Sequence, residues 1–126
     1  MKILQSAENY LETILLLKNK FGEIRAVDIA SQMNFSKPSV SNALKLLREN
    51  GYVSINKKGF ISMTETGMKV ATMIYERHHL LSEIFISLGV SPSTAESDAC
   101  KIEHLISEES FEKIKQFYDS KKLKIN

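Results

Sequence analysis

Apolar residues recur at three- and four-residue spacing from about Ser6 to Lys20, where Ala7, Tyr10, Leu11, Ile14, Leu15 and Leu17 share one broad face. That period predicts an amphipathic helix. Phe21-Gly22-Glu23 ends it, Gly22 supplying the stop. A second, shorter helix over Ala26 to Met33 is expected to turn Val27, Ile29, Ala30 and Met33 inward. Asn34-Phe35-Ser36 reads as a turn, with Ser36 at the cap of a third helix and Pro38 in its first turn, where a missing N–H costs nothing. The third helix buries Val40, Ala43 or Leu44, and Leu47, runs to about Asn50 and stops at Gly51.

The period then changes. Tyr52-Val53-Ser54-Ile55 and Phe60-Ile61-Ser62-Met63 alternate apolar and polar residues, and Asn56-Lys57-Lys58-Gly59 between them is turn chemistry, so a β-hairpin is expected. Three helices followed by a basic hairpin spell a winged helix-turn-helix. Thr64 caps a long helix to about Leu88, with Val70, Ile74, His78, Leu81, Phe85 and Leu88 on one stripe and Met73, Leu80 and Ile84 on a second. Gly89-Val90-Ser91-Pro92 breaks it. Ser91 with Pro92, or Ser93 with Glu96, starts a helix carrying Cys100. Ser107 caps a last helix containing Phe111, Ile114, Phe117 and Tyr118, and the polar tail from Lys121 to Asn126 is expected to fray. The fold class is therefore mainly α.

Composition sharpens this picture at four points. With 43% hydrophobic and 25% charged residues, the 126-residue chain is globular rather than disordered. No apolar run approaches the roughly 20 residues that span a bilayer, and Met1 to Glu8 lacks the apolar core of a signal peptide. One cysteine forms no internal disulfide, which fits a reducing compartment, so a cytoplasmic location is expected. Net charge is only +2, yet Ser36 to Phe60 holds Lys37, Lys45, Arg48, Lys57 and Lys58 against Glu49 alone, leaving the remainder at −2. A basic patch on a near-neutral chain points to an anionic partner for that face.

A recognition helix reads the major groove of double-stranded DNA with its N-terminal residues. Here these are Ser36, Lys37, Pro38, Ser39, Ser41 and Asn42. Asn42 suits adenine and Lys37 guanine or a phosphate, while Lys45, Lys57 and Lys58 suit phosphates, which position without specifying. The bland alternative is a merely solvated helix face.

A second chemistry lies in Glu96-Ser97-Asp98-Ala99-Cys100-Lys101-Ile102-Glu103-His104. At about 100° per residue, Glu96, Cys100, Glu103 and His104 fall within one helical arc, beside an apolar stripe of Ala95, Ala99, Ile102 and Ile106. Thiolate, carboxylate and imidazole projecting together suit a borderline or soft metal ion, although such triplets also arise by chance. His78 reads either as a hydrogen-bonded core residue or as a ligand, and Asn9 and Glu12 share a face of the first helix.

Ser6-Ala7-Glu8-Asn9-Tyr10-Leu11-Glu12, Arg77-His78-His79-Leu80-Leu81 and Asp98-Ala99-Cys100-Lys101-Ile102-Glu103-His104-Leu105 resemble the diphtheria toxin repressor and manganese transport regulator family, over nearly the whole chain from Ser6 to Phe117. The resemblance implies a metal-responsive repressor, homodimeric, that binds a palindromic operator when loaded with ferrous or manganous ion, and no enzyme. It implies a winged-helix DNA-binding domain over residues 1–63 and a helical metal-binding and dimerisation domain over residues 64–126, ending before the SH3-like domain of longer members. By position the implied ligands are Asn9, Glu12, His78, Cys100, Glu103 and His104. Cys100 looks like the iron branch, whereas the manganese branch has glutamate there, so the expected ion is Fe2+, with Mn2+ second and Zn2+ able to bind in vitro. Asn9 departs from the family's methionine or aspartate. Ser82 replaces a glutamate of many relatives, though His79 and Glu83 repeat the spacing one residue on. Glu96 takes the place of a histidine ligand. Two rivals stand beside this reading: a metal-independent winged-helix regulator with Cys100 as a redox-sensing or structural thiol, and an enzyme with Cys100 as nucleophile and His104 as base. The second lacks a Gly-rich oxyanion loop.

Overall fold

The computed structural model describes residues 5–125, with side chains for residues 5–121. The opening Met1 to Leu4 and the final Asn126 lie outside the described residues. The element order is α1 (Gln5–Phe21), α2 (Ala26–Met33), α3 (Lys37–Glu49), β1 (Val53–Ile55), β2 (Ile61–Met63), α4 (Glu65–Ser87), α5 (Pro92–Ile102) and α6 (Glu108–Ile125). The chain divides between Met73 and Ile74, inside α4, into two compact units.

The first unit is the expected winged helix-turn-helix. Gly22, at φ 82°, closes α1 with its N–H on the Lys18 carbonyl. Asp28 accepts the Arg25 N–H at 2.8 Å to start α2, and Asn34 ends it in the left-handed region at φ 57°, which a short polar side chain tolerates. Ser36 then caps α3, its Oγ accepting the Ser39 N–H at 3.3 Å. The core of this unit gathers Leu11 and Ile14 of α1, Ile29 of α2, Val40 and Leu47 of α3, and Val53 and Ile61 of the hairpin. Leu44 is buried where Ala43 is only half-buried. Val27 departs from expectation: it is 51% exposed, because a helix of only eight residues turns a narrow stripe inward.

The strands pair antiparallel with Val53 opposite Met63 and Ile55 opposite Ile61, so Ser54 and Ser62 share the outer face. Two ties anchor the hairpin: Ile61 donates its N–H to the Ile24 carbonyl, and Lys18 Nζ donates to the Ile61 carbonyl at 2.8 Å. Thr64 begins α4 by accepting the Gly67 N–H at 3.1 Å while its own hydroxyl donates to the Gly51 carbonyl at 2.6 Å.

In the second unit Ile74 and Leu81 of α4, Ala95 and Ala99 of α5, and Phe111 of α6 are buried. Lys115 of α6 donates to Glu76 of α4 at 2.6 Å, and that hydrogen bond holds its ammonium pKa above the ordinary value. Ser91 starts α5 with Pro92 as its first residue; the Ser91 hydroxyl reaches Thr94 rather than a backbone N–H. Ser107 caps α6 by accepting the Ser110 N–H at 3.1 Å. Two expectations need correcting. Helix α5 ends at Ile102, so Glu103 is its cap and His104 lies in the following turn rather than on the helix. Helix α6 does not fray at Lys121 but continues to Ile125, since lysine is a good helix former whatever its polarity.

Candidate nucleic-acid face and metal centre

The separation of core and surface along α3 shapes the first site. Val40, Leu44 and Leu47 are buried, while Lys37, Pro38, Ser39, Ser41, Asn42 and Lys45 are all exposed, as is the cap Ser36. A shallow groove between α3 and the hairpin is lined by Ser41, Lys45 and Arg48 on one side and Ile55 and Gly59 on the other. The hairpin turn is closed by one side chain: Asn56 Oδ1 accepts the N–H of Lys58 at 3.0 Å and of Phe60 at 2.9 Å. Lys57 and Lys58 are thereby held out on a fixed turn, both exposed. Arg25 packs over the Phe60 ring at 4.4 Å, bringing a further cation to the hairpin. Sequence reasoning counted Arg48 in the basic patch but gave it no role, and it passed over Arg25. The spacing of Lys37, Ser41, Lys45 and Arg48, four, four and three residues along one helix face, was the available signal for Arg48. This face offers cations for phosphates and small polar groups for base edges.

The second site belongs to α4 and the turn after α5. Glu103 has no exposed surface, although it is a carboxylate. His78 Nδ1 lies 2.8 Å from its Oε2, and His104 Nε2 lies 3.3 Å from its Oε1. The His104 imidazole is wholly buried and that of His78 is 27% exposed. Burying an anion is costly unless neighbours compensate it; the His78 hydrogen bond provides part of that compensation. With its proton on Nδ1, His78 donates to Glu103 and keeps a lone pair on Nε2. The two imidazoles meet opposite oxygens of the carboxylate rather than a common point; imidazole and carboxylate are each donor types that suit divalent transition metals.

The remaining candidates are placed differently. Cys100 and Glu96 are exposed residues of α5, whereas a helix continuing through residue 104 had been expected to carry all four donors together. Asn9 and Glu12, both half-buried, lie on α1 in the first unit. His79 is exposed and packs against Tyr75 in a tilted arrangement, ring centroids 4.2 Å apart. Glu83 is exposed as well, and Ser82 is buried. Arg77, to which the sequence reading gave no role of its own, is buried beside the centre and donates from Nη1 to the carbonyls of Glu103 and Ile106. A cation in an otherwise apolar helical stripe was its only signal.

Two family patterns match the chain. The pattern for the iron dependent repressor, N-terminal DNA binding domain, covers residues 2–60, and that for the iron dependent repressor, metal binding and dimerisation domain, covers residues 64–123. An uncharacterised HTH-type transcriptional regulator of Methanocaldococcus jannaschii is 34% identical over 123 residues, which is 96% of this chain and 98% of that protein. Transcriptional regulator MntR of Escherichia coli is 34% identical over 110 residues, covering 87% of this chain and 71% of that protein. The solved structure of the manganese regulator SloR superposes with a TM-score of 0.78 at 26% identity, covering 90% of this chain but 53% of the other. The chain thus spans about half the length of that solved regulator.

Proposed function

This chain belongs to the iron dependent repressor family of metal-responsive transcriptional regulators, and on that premise we propose that it represses transcription as a homodimer bound to a palindromic operator when loaded with Fe2+. Mn2+ is the second choice. The observation that carries the metal reading is the buried Glu103 carboxylate held between His78 and His104. When bound, the ion supplies a divalent charge that draws these donors to one centre.

Asn9, Glu12, Cys100 and Glu96 are proposed as the further donors. Glu12 contributes a carboxylate and Asn9 a weaker amide oxygen. The Cys100 thiolate favours Fe2+ over Mn2+, because manganese prefers oxygen-rich sites. Residues 1–63 act as the DNA-binding domain and residues 64–126 as the metal-binding and dimerisation domain. The second unit leaves Leu88, Leu105 and Phe117 exposed, side chains that a dimer interface would cover. No described helix is long and apolar enough to cross a membrane. We place the protein in the cytoplasm.

The test is anaerobic binding to a duplex selected from a random library, measured by fluorescence anisotropy against free Fe2+ and free Mn2+. Activation by Fe2+ at lower free concentration supports the reading. Equal binding with and without chelator favours the rival, in which the exposed Cys100 acts as a redox-sensing thiol.

A further inference from the structure

We infer that Arg77 is the positioning residue of the metal centre, fixing the backbone on which Glu103 and His104 are carried; this rests on the metal reading above. Arg77 is 7% exposed, and one of its nitrogens, Nη1, donates to the Glu103 carbonyl at 3.1 Å and the Ile106 carbonyl at 2.9 Å. These acceptors bracket His104. They are also carbonyls at or beyond the C-terminal end of α5, where a helix leaves acceptors unsatisfied and carries partial negative charge. A guanidinium answers both needs. The Phe111 ring, 5.4 Å from its carbon, backs it from α6.

The neighbouring residue on α4 completes the grip. His78 holds the Glu103 carboxylate, while Arg77 holds the Glu103 backbone. Two consecutive residues therefore set both the side chain and the main chain of one donor, and His104 is fixed between the two carbonyls that Arg77 engages. Outer groups that orient ligands in this way typically contribute about 10–100-fold to metal affinity. Lysine is a poor substitute, because it lacks the rigid planar donor geometry of arginine.

The experiment compares wild type with Arg77→Met, Arg77→Lys and His104→Ala. Methionine fills similar volume without a charge to strand, and lysine provides a second reading if the methionine variant does not fold. Co2+ affinity by calorimetry and the Co2+ absorption spectrum are recorded at fixed pH. Amide hydrogen exchange of Leu105 and Ile106, whose N–H groups bond to the Ile102 carbonyl, is recorded in metal-free protein. We expect Arg77→Met to lose about 10–100-fold in Co2+ affinity, to shift the absorption bands, and to exchange Leu105 and Ile106 faster while the α3 amides stay protected. Arg77→Lys should fall between it and wild type. Co2+ affinity and spectrum unchanged in Arg77→Met or Arg77→Lys, whether or not stability drops, overturn the positioning role while His104→Ala still abolishes binding. Unchanged Co2+ binding in His104→Ala overturns the centre itself, and the role of Arg77 with it.

Discussion

A β-carbon at Gly67 would collide with the backbone oxygen of Tyr52. The first turn of α4 is therefore seated against the start of the hairpin at a separation only glycine allows. That oxygen also accepts the Thr64 N–H at 3.1 Å, so it cannot retreat without losing the bond.

Two effects oppose each other when Gly67 becomes alanine. Helix propensity favours alanine by about 1 kcal/mol. The clash is with backbone rather than a flexible side chain, and overpacking of that kind costs roughly 1–3 kcal/mol. We expect the clash to win and Gly67→Ala to lower stability. Urea denaturation decides the sign, with the exposed Thr66→Ala as a control that should change little.

Ser36 has been assigned to the DNA-reading surface, yet it also caps α3. Removing a serine cap typically costs about 1 kcal/mol. Ser36→Ala should thus lower the denaturation midpoint in the absence of DNA, and Ser36→Asp should restore it. A midpoint unmoved by Ser36→Ala refutes the cap.

The hairpin cations make a separate prediction. If Lys57 and Lys58 each neutralise one phosphate, removing both should reduce the slope of log K against log salt by roughly 2 per subunit. The weakening should be alike on all sequences. Asn42→Ala should instead blur discrimination between duplexes. Titrations at three salt concentrations on selected and scrambled duplexes check both. An unchanged slope in the lysine double variant removes the wing from the interface.

Metal choice is tested at Cys100. Cys100→Glu replaces a soft donor with a hard one, so activation of DNA binding should shift from Fe2+ towards Mn2+. Cys100→Ala should weaken the response to both ions. His104→Ala should abolish activation while leaving a folded protein, checked by circular dichroism. Operator affinity against free metal, measured without oxygen, reads all three. Full metal response in both alanine variants makes the Cys100–His104 stretch structural.

The legible parts of the sequence were those governed by local rules. Ser36, Pro38 and Gly51 bounded α3 because caps and breakers act within a turn or two. Asn56 to Gly59 declared the hairpin because its chemistry is self-contained, and Ser54 and Ser62 marked its outer face by alternation. The features that escaped depend on distant partners. Nothing in the period of Ala95, Ala99 and Ile102 announced that α5 stops at Ile102. That turn is clasped by Arg77, 26 residues earlier than Glu103. The demand on Gly67 comes from the approach of Tyr52, 15 residues earlier, which no local pattern announces. The candidate donors divided along the same line: histidines and glutamate were visible as residue types, whereas only packing separated the buried Glu103 and His104 from the exposed Cys100 and Glu96.

The turn closed by Asn56 has a kinetic consequence. Because Asn56 Oδ1 holds both Lys58 and Phe60 by their N–H groups, the hairpin meets a duplex with its main chain already arranged. If Lys57 and Lys58 contact DNA as proposed, only their side chains surrender freedom on arrival, about 0.5–1.5 kcal/mol each. A loop without such closure would have to freeze its backbone as well. Encounter is then limited by diffusion and charge attraction rather than by a search among loop shapes. Added salt should accordingly slow association by the wing's share, while the lifetime of the bound state is set by what α3 finds in the groove.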